Sequence, residues 1–356
     1  MKAFAMPSSA NLTLTFCVIF FTWNPYHSVD AFANFYSIQT KSTRCGKSIK
    51  CSSTGLHALT ERQIQFWEDV DEGIQERSEY FEGELGQSTM KRIRNFSLSA
   101  QGGIPKPRPS GPKHDPSEEY VEGLSAKPVW DLASEDAKTL FPWSSELEKK
   151  SHIIIKEYNK KLEKEREMRK EGLFSQDSIW QNKVMGEGWS ALRLMRLGVW
   201  NTKNCQQFPE TYALLSSLDI PFAVRGVCFA KQMPGSGVAE HSDGRNFILT
   251  AHLGLKVPQD CWIKVAEQKK TWEEGKIIIV DTSFKHSTGN PSDSERHVLI
   301  IDFWHPELTA PERAGLEFIY DLRNKFETGK VPVRKTRSVK QKEPQPFLGW
   351  WKTLTA

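Results

Sequence analysis

Acidic residues are almost missing from the start of the chain: Asp30 is the only one before Glu61. Cysteine is also scarce. None of Cys17, Cys45, Cys51, Cys205, Cys228 and Cys261 forms a CxxC pair. If a leader is removed, only Cys205, Cys228 and Cys261 remain, an odd and scattered set that argues against a disulfide framework and suits a reducing compartment. The apolar run at 12–23 is shorter than the roughly 20 residues a spanning helix needs, so no transmembrane span is expected in the mature protein. No internal repeat and no nucleic-acid motif is visible. The net charge of +4 is too mild to argue for a polyanionic partner, because the Lys and Arg excess sits in the leader and around 330–342.

What the first 60 residues do contain is a basic residue, Lys2, then the apolar run, then small residues before Phe32. That is the pattern of a secretory signal peptide. Beyond it lies a stretch rich in Ser, Thr, Lys and Arg, which is the composition of a transit peptide. The junction Val29-Asp30-Ala31-Phe32-Ala33-Asn34 resembles the two-part plastid leaders of diatoms and related algae, in which cleavage falls just before a Phe. The expectation is a signal peptide over about 1–31, a transit-peptide-like segment over 32–58 and a plastid location, with a plain secretory protein as the alternative.

Past the leader, 38% hydrophobic and 11% aromatic residues are enough to bury a core. Residues 59–81 carry Ile64, Trp67, Val70, Ile74 and Phe81 at roughly helical spacing. Residues 102–116 are Pro-, Gly- and Ser-rich and read as a linker or extended arm. Residues 146–171 form a charged helix. After Phe174 come short apolar runs at 225–231, 247–255, 261–265, 276–281 and 297–304, separated by Gly- and Pro-containing turns. This is the texture of an antiparallel barrel or jelly roll. The expected plan is therefore a helical and linker arm over 59–141, a mainly β catalytic domain over 142–313, and a C-terminal helix with a basic, aromatic tail over 314–356.

The densest chemistry lies between His241 and Pro306. His241 and Asp243 are two apart, so an extended segment turns both to one face, and Gly244 permits a turn after them. His286 follows the run IIIVDTSF, where a neighbouring strand can bring it across. Two imidazoles and a carboxylate on one face of a metal are the ligand set of non-haem iron(II) oxygenases, with positions left open for cosubstrate and oxygen. Arg296 opens the run HVLIIDFW. A buried guanidinium there needs a carboxylate, and 2-oxoglutarate would supply one; an ion pair with Asp293 or Glu295 is the alternative. In 247–255 the odd positions fall on one face, while Thr250 and His252 share the other. That pair reads as a cavity wall contacting the cosubstrate, or else as a structural hydrogen-bonded pair. A zinc site of His241, His252 and His286 is also open, and Arg245 reads as a substrate contact or a solvated loop residue.

The signatures FPETYALL, MPGSGVAEHSDGRNF, TAHLGL, TWEEGK, DTSFKHSTGN and DFWHPELTAPER, in that order over 189–313, resemble the aspartyl/asparaginyl β-hydroxylase family. The resemblance implies a double-stranded β-helix (jelly-roll, cupin-like) fold with flanking N-terminal helices. It also implies an iron(II)- and 2-oxoglutarate-dependent dioxygenase using O2 and releasing succinate and CO2. It implies His241 and His286 as iron ligands, Arg296 on the distal carboxylate of 2-oxoglutarate and His252 at its other end. The chain departs from the animal peptide hydroxylases in three places. Asp243 stands where they have Gly, as in bacterial relatives acting on lipid A or free amino acids; Ala230 aligns with a Ser and Thr250 with an Arg that help hold the cosubstrate or substrate. The expected substrate is therefore a peptidyl aspartyl or asparaginyl group or another small or lipid molecule. The alternative is a catalytically silent jelly roll that binds a ligand or scaffolds a partner. The tail residues Phe347, Trp350 and Trp351 are expected to pack back on the domain.

Overall fold

The chain follows the order α1 (Glu61–Leu85), α2 (Lys91–Ala100), β1 (Val129–Trp130), α3 (Glu135–Leu140), α4 (Pro142–Lys170), β2 (Gln181–Asn182), β3 (Trp189–Arg196), β4 (Val199–Trp200), α5 (Thr202–Cys205) and α6 (Pro209–Ser217). It continues through β5 (Phe222–Gln232), β6 (Ser236–His241), β7 (Ile248–Lys256), β8 (Trp262–Val265), β9 (Gln268–Thr271), β10 (Ile277–Val280), β11 (His286–Asn290), β12 (Arg296–Trp304) and α7 (Ala310–Glu327). The structure, a computed structural model, describes residues 60–85, 90–101, 103–104, 111–116, 119–170, 181–182 and 188–331. The expected leader, residues 102 and 105–110 of the Pro-rich stretch, and the aromatic tail lie outside these residues.

From β5 onward the strands are shared between two antiparallel sheets. The larger has the order β1-β10-β7-β12-β5-β3-β2, with β4 on β3, and the smaller has the order β6-β11-β8-β9. Apart from the β8–β9 hairpin, which stays in the small sheet, successive strands of β5–β12 cross between sheets, which is the wrapping of a double-stranded β-helix. The five runs expected as strands correspond to β5, β7, β8, β10 and β12.

The alternation in β7 has the consequence read from it. Leu249, Ala251, Leu253 and Leu255 join the core on the outer face of the large sheet, with Ile279, Leu299, Ile301, Phe229 and residues of α4. α4 offers that core a stripe of Trp143, Leu147, Ile154 and Tyr158, spaced by about one or two helical turns. Tyr158 Oη lies 2.8 Å from His297 Nδ1, and Glu148 accepts from Ile277 N at 2.8 Å, so the helix is pinned to β12 and β10, the strands on either side of β7. The other face of the large sheet looks across to the small one. Ala230, Ile263, Val265, Trp272, Val280, Phe284 and Val298 form the core between the sheets.

The segment expected as a loose arm is packed, and this corrects the sequence reading. Phe66, Trp67, Val70 and Ile74 of α1 are buried, as are Ile93 and Phe96 of α2. Each such side chain contributes on the order of 1.5–3 kcal/mol when buried. The partner surface is α7, which Thr309 and Glu312 begin with a capping box. Gly73 and Gly315 mark the closeness of the fit. A Cβ at Gly73 would lie 2.1 Å from the Phe318 ring, and one at Gly315 2.6 Å from Met90 Cε. Among the described residues no helix is long and apolar enough to cross a membrane.

Candidate active site

His241 ends β6 and His286 begins β11, and the two are direct cross-strand partners in the small sheet. Register alone therefore brings the imidazoles together, with ring centroids 4.2 Å apart. Each ring is set by a carbonyl two residues earlier: His241 Nδ1 lies 2.9 Å from Ala239 O, and His286 Nδ1 lies 2.9 Å from Phe284 O. A carbonyl can only accept, so each Nδ1 carries the proton and each Nε2 presents a lone pair. His241 Nε2 is buried with no hydrogen-bond partner. Burial lowers the pKa of His286, which favours the neutral, ligating form.

Asp243 sits in the turn after β6. Its N–H donates to Thr282 O at 2.9 Å, and Gly244 follows at φ +70°. Asp243 Oδ1 is 3.8 Å from His241 Nε2. One ligand atom each from His241, Asp243 and His286 lie within 4.8 Å of one another. The turn that delivers His286 is held by Asp281, whose Oδ1 accepts from Ser283 N at 2.9 Å and Ser283 Oγ at 2.5 Å. Two lone pairs and a carboxylate converging in this way fit a divalent metal with open coordination positions.

Sequence reasoning missed the groups behind Asp243. Arg225 of β5 donates through Nη1 to Asp243 Oδ2, and its Nε lies 3.4 Å from Asp302 Oδ2. Burial alone would raise the Asp243 carboxyl, but the Arg225 guanidinium holds it well below the usual carboxylate range. Thr250 belongs to this chain as well. Its hydroxyl donates to Asp302 Oδ1 at 2.7 Å and so ties β7 to β12 behind Arg225.

Arg296, at the start of β12, is 1% exposed. Its Nη2 donates to Gln232 Oε1, its guanidinium stacks 4.3 Å from the Trp272 ring, and its Nε has no partner. No carboxylate faces it among the described residues. Glu295 pairs instead with Lys231 at 3.6 Å and His297 at 3.3 Å, so the ion-pair alternative fails there. Burial lowers the Arg296 pKa to about 10. A buried cation without a counter-ion is costly, and the arrangement is set up to receive an anion.

His252 stands beside the same tryptophan, with parallel rings 5.9 Å apart and Trp272 Nε1–H donating to His252 Nδ1 at 3.3 Å. That bond leaves the His252 proton on Nε2, as a donor. Burial first, then Arg296 and His286, lower its pKa to about 3, so it is neutral. His252 is absent from the three-ligand group, which removes the His241–His252–His286 zinc alternative. Arg245 is not a solvated loop residue: its Nε lies 3.1 Å from the buried carboxylate of Glu119, and its Nη1 donates to Asp243 O at 3.1 Å.

Residues 148–306 match the family model Aspartyl/Asparaginyl beta-hydroxylase, so the resemblance read from the motifs is borne out over that span. The human aspartate beta-hydroxylase domain-containing protein 2 is 37% identical over 138 residues, covering 37% of this chain and 37% of that protein. The human aspartyl/asparaginyl beta-hydroxylase is 34% identical over 202 residues, 56% of this chain and 25% of that protein. The chain thus spans well under half the length of the curated relatives it matches. A 2OG-Fe(II) oxygenase family oxidoreductase from Burkholderia pseudomallei superposes at TM-score 0.24 with 13% identity, over 35% of this chain and 72% of that one, too loose a likeness to support an argument.

Proposed function

We propose that this chain is an iron(II)- and 2-oxoglutarate-dependent dioxygenase. It hydroxylates an unactivated C–H bond of a peptidyl aspartyl or asparaginyl group, or of another small or lipid substrate. The family match over 148–306 supports a hydroxylase. The observation that carries the finer reading is Arg296, a buried guanidinium facing no carboxylate among the described residues, in the same barrel as a three-ligand cluster.

His241 and His286 through Nε2, with the Asp243 carboxylate, would hold the metal. Bound iron(II) supplies the oxidising chemistry, coupled to decarboxylation of 2-oxoglutarate to succinate and CO2. Arg296 binds the distal carboxylate of the cosubstrate, its planar fork matching two oxygens. Trp272 covers the guanidinium and keeps it dry. His252 offers its Nε2–H to the other end of the molecule. The apolar wall of Val280, Phe284 and Val298 excludes water from the space between the sheets.

The domain assignment belongs to the same proposal: catalytic jelly roll over 142–313, followed by the C-terminal segment 314–356. So does location in the plastid after removal of residues 1–58, for which the leader composition is the support. Fusing residues 1–58 to a fluorescent protein tests the location, and fluorescence in the secretory pathway would reject it.

The chemistry is tested by adding Fe(II) and 2-oxoglutarate without oxygen and following the weak visible charge-transfer band of the chelate. The band is expected in the wild type and lost in Asp243→Ala and Arg296→Ala. A folded, metal-loaded wild type that gives no band would overturn the dioxygenase and leave a catalytically silent binding module.

A further inference from the structure

Arg225 has no part in the metal cluster itself, yet it is built in as firmly as the ligands. It leaves β5 just before Gly226, whose φ is +84° and where a Cβ would come within 2.2 Å of Met195 O. A side chain at 226 is therefore barred, and the strand kinks at that point. The β3–β5 ladder shifts register beside it, between Arg193 and Met195, and Arg193 Nη1 donates to Arg225 O at 3.0 Å. The backbone under Arg225 is held from the neighbouring strand.

The guanidinium then lies between two acids with different roles. Asp302, with its side chain 7% exposed, is fixed by the Thr250 hydroxyl and meets Arg225 Nε at 3.4 Å. Asp243 meets Nη1 through Oδ2, while its Oδ1 is the oxygen 3.8 Å from His241 Nε2. With Oδ2 held by a fixed donor, Oδ1 is the oxygen turned toward the imidazoles.

We propose that Arg225, anchored by Asp302, is the positioning residue for the metal carboxylate: it takes Oδ2 of Asp243 and leaves Oδ1 as a single-oxygen ligand facing His241 and His286. The inference rests on the metal-site reading above. Two effects oppose one another when Arg225 is lost. Removing a cation favours a nearby divalent metal, and freeing the carboxylate disfavours it. Positioning dominates if the carboxylate swings away without its donor. Partners that orient metal ligands typically contribute about 10–100-fold in affinity.

The test is a titration of the full-length apo protein with Co(II), read by its visible d–d absorption without cosubstrate, so that activity plays no part. Arg225→Met is expected to weaken Co(II) binding about 10–100-fold and to change the d–d spectrum. Arg225→Lys should restore part of the loss, because an ammonium is one point donor and cannot span both acids. Asp302→Asn should shift affinity in the same direction by less, and it keeps the test open if Arg225→Met does not fold. Unchanged affinity and spectrum in folded variants would reduce Arg225 to a structural ion pair. Tighter Co(II) binding would make it a competitor of the metal. Either result overturns the proposal while leaving the metal site standing. A wild type that binds no Co(II) overturns both readings together.

Discussion

Glu119→Gln tests whether the packed arm holds the metal loop. Glu119 is 3% exposed, three residues past the Pro-rich stretch that reads as a linker. Its carboxylate accepts from Tyr320 Oη at 2.5 Å, from Arg245 Nε at 3.1 Å and from Arg323 Nη2, and its own N–H donates to Gly244 O at 2.8 Å. Burial alone would raise its pKa, but Arg323 and Arg245 pull it from 4.5 down to about 2. The amide keeps the size and removes the charge, so both guanidinium groups lose their shared counter-ion. Breaking a buried pair from one side costs about 3–5 kcal/mol. The sign follows from a depressed carboxylate: its stabilisation is full above pH 4.5, the unfolded value, and is lost as pH falls toward 2. Urea unfolding should show the wild type losing stability from pH 5 downward, with a flatter profile in the variant. At about 2–4 °C per kcal/mol for a domain of this size, Tm at pH 7 should fall by roughly 6–20 °C. A loss below about 1 kcal/mol, or parallel pH profiles, would refute the reasoning, because a pair this buried cannot be a weak surface bridge.

Arg296→Met should raise the stability of the ligand-free protein by about 1–4 kcal/mol, since it removes a buried cation without a carboxylate. It should also abolish the thermal shift with 2-oxoglutarate, which in the wild type reaches about 2.7 kcal/mol at 100 times Kd. Trp272→Phe keeps a ring beside Arg296 but removes the donor to His252 Nδ1. Calorimetry should find 2-oxoglutarate binding weakened by about 0.5–1.5 kcal/mol, the net worth of one hydrogen bond. Gly226→Ala meets both a positive φ and a backbone oxygen, so denaturation should show a loss of at least about 1–3 kcal/mol; an unaffected variant would mean the kink beside Arg225 is not fixed.

The parts of this site that were legible in the sequence are those whose geometry is local. His241 and Asp243 share a face because they are two apart, and β7 shows its two faces because it alternates. β5, β7, β8, β10 and β12 were visible as apolar runs because they build the cores on both faces of the large sheet. The edge strand β9, Gln268–Thr271, is exposed throughout and has no apolar residue to mark it. β6 and β11 carry Ser, Gly, Thr and His in place of an apolar run, so their pairing, which sets His286 opposite His241, could be guessed only from the motif.

The residues that escaped notice work at long range. Arg225 reaches Asp302 because β5 and β12 are neighbours in the large sheet, and Asp302 reaches Thr250 because β12 and β7 pair at those two residues. Nothing near any one of them in sequence distinguishes this chain from an ordinary surface pair. Glu119 meets Arg245 and Arg323 across 126 and 204 positions, from just beyond a Pro-rich stretch whose composition signals an extended linker. Composition reports how a segment behaves alone, not what is stitched to it. The turn bearing Asp243 is thus held from three directions: Arg225 takes the carboxylate, Thr282 O takes the N–H, and Arg245 ties the carbonyl to Glu119 and so to α7. A metal ligand placed on a turn after a short strand would otherwise be mobile. The long-range contacts supply the rigidity that the local sequence around His241 and Asp243 does not.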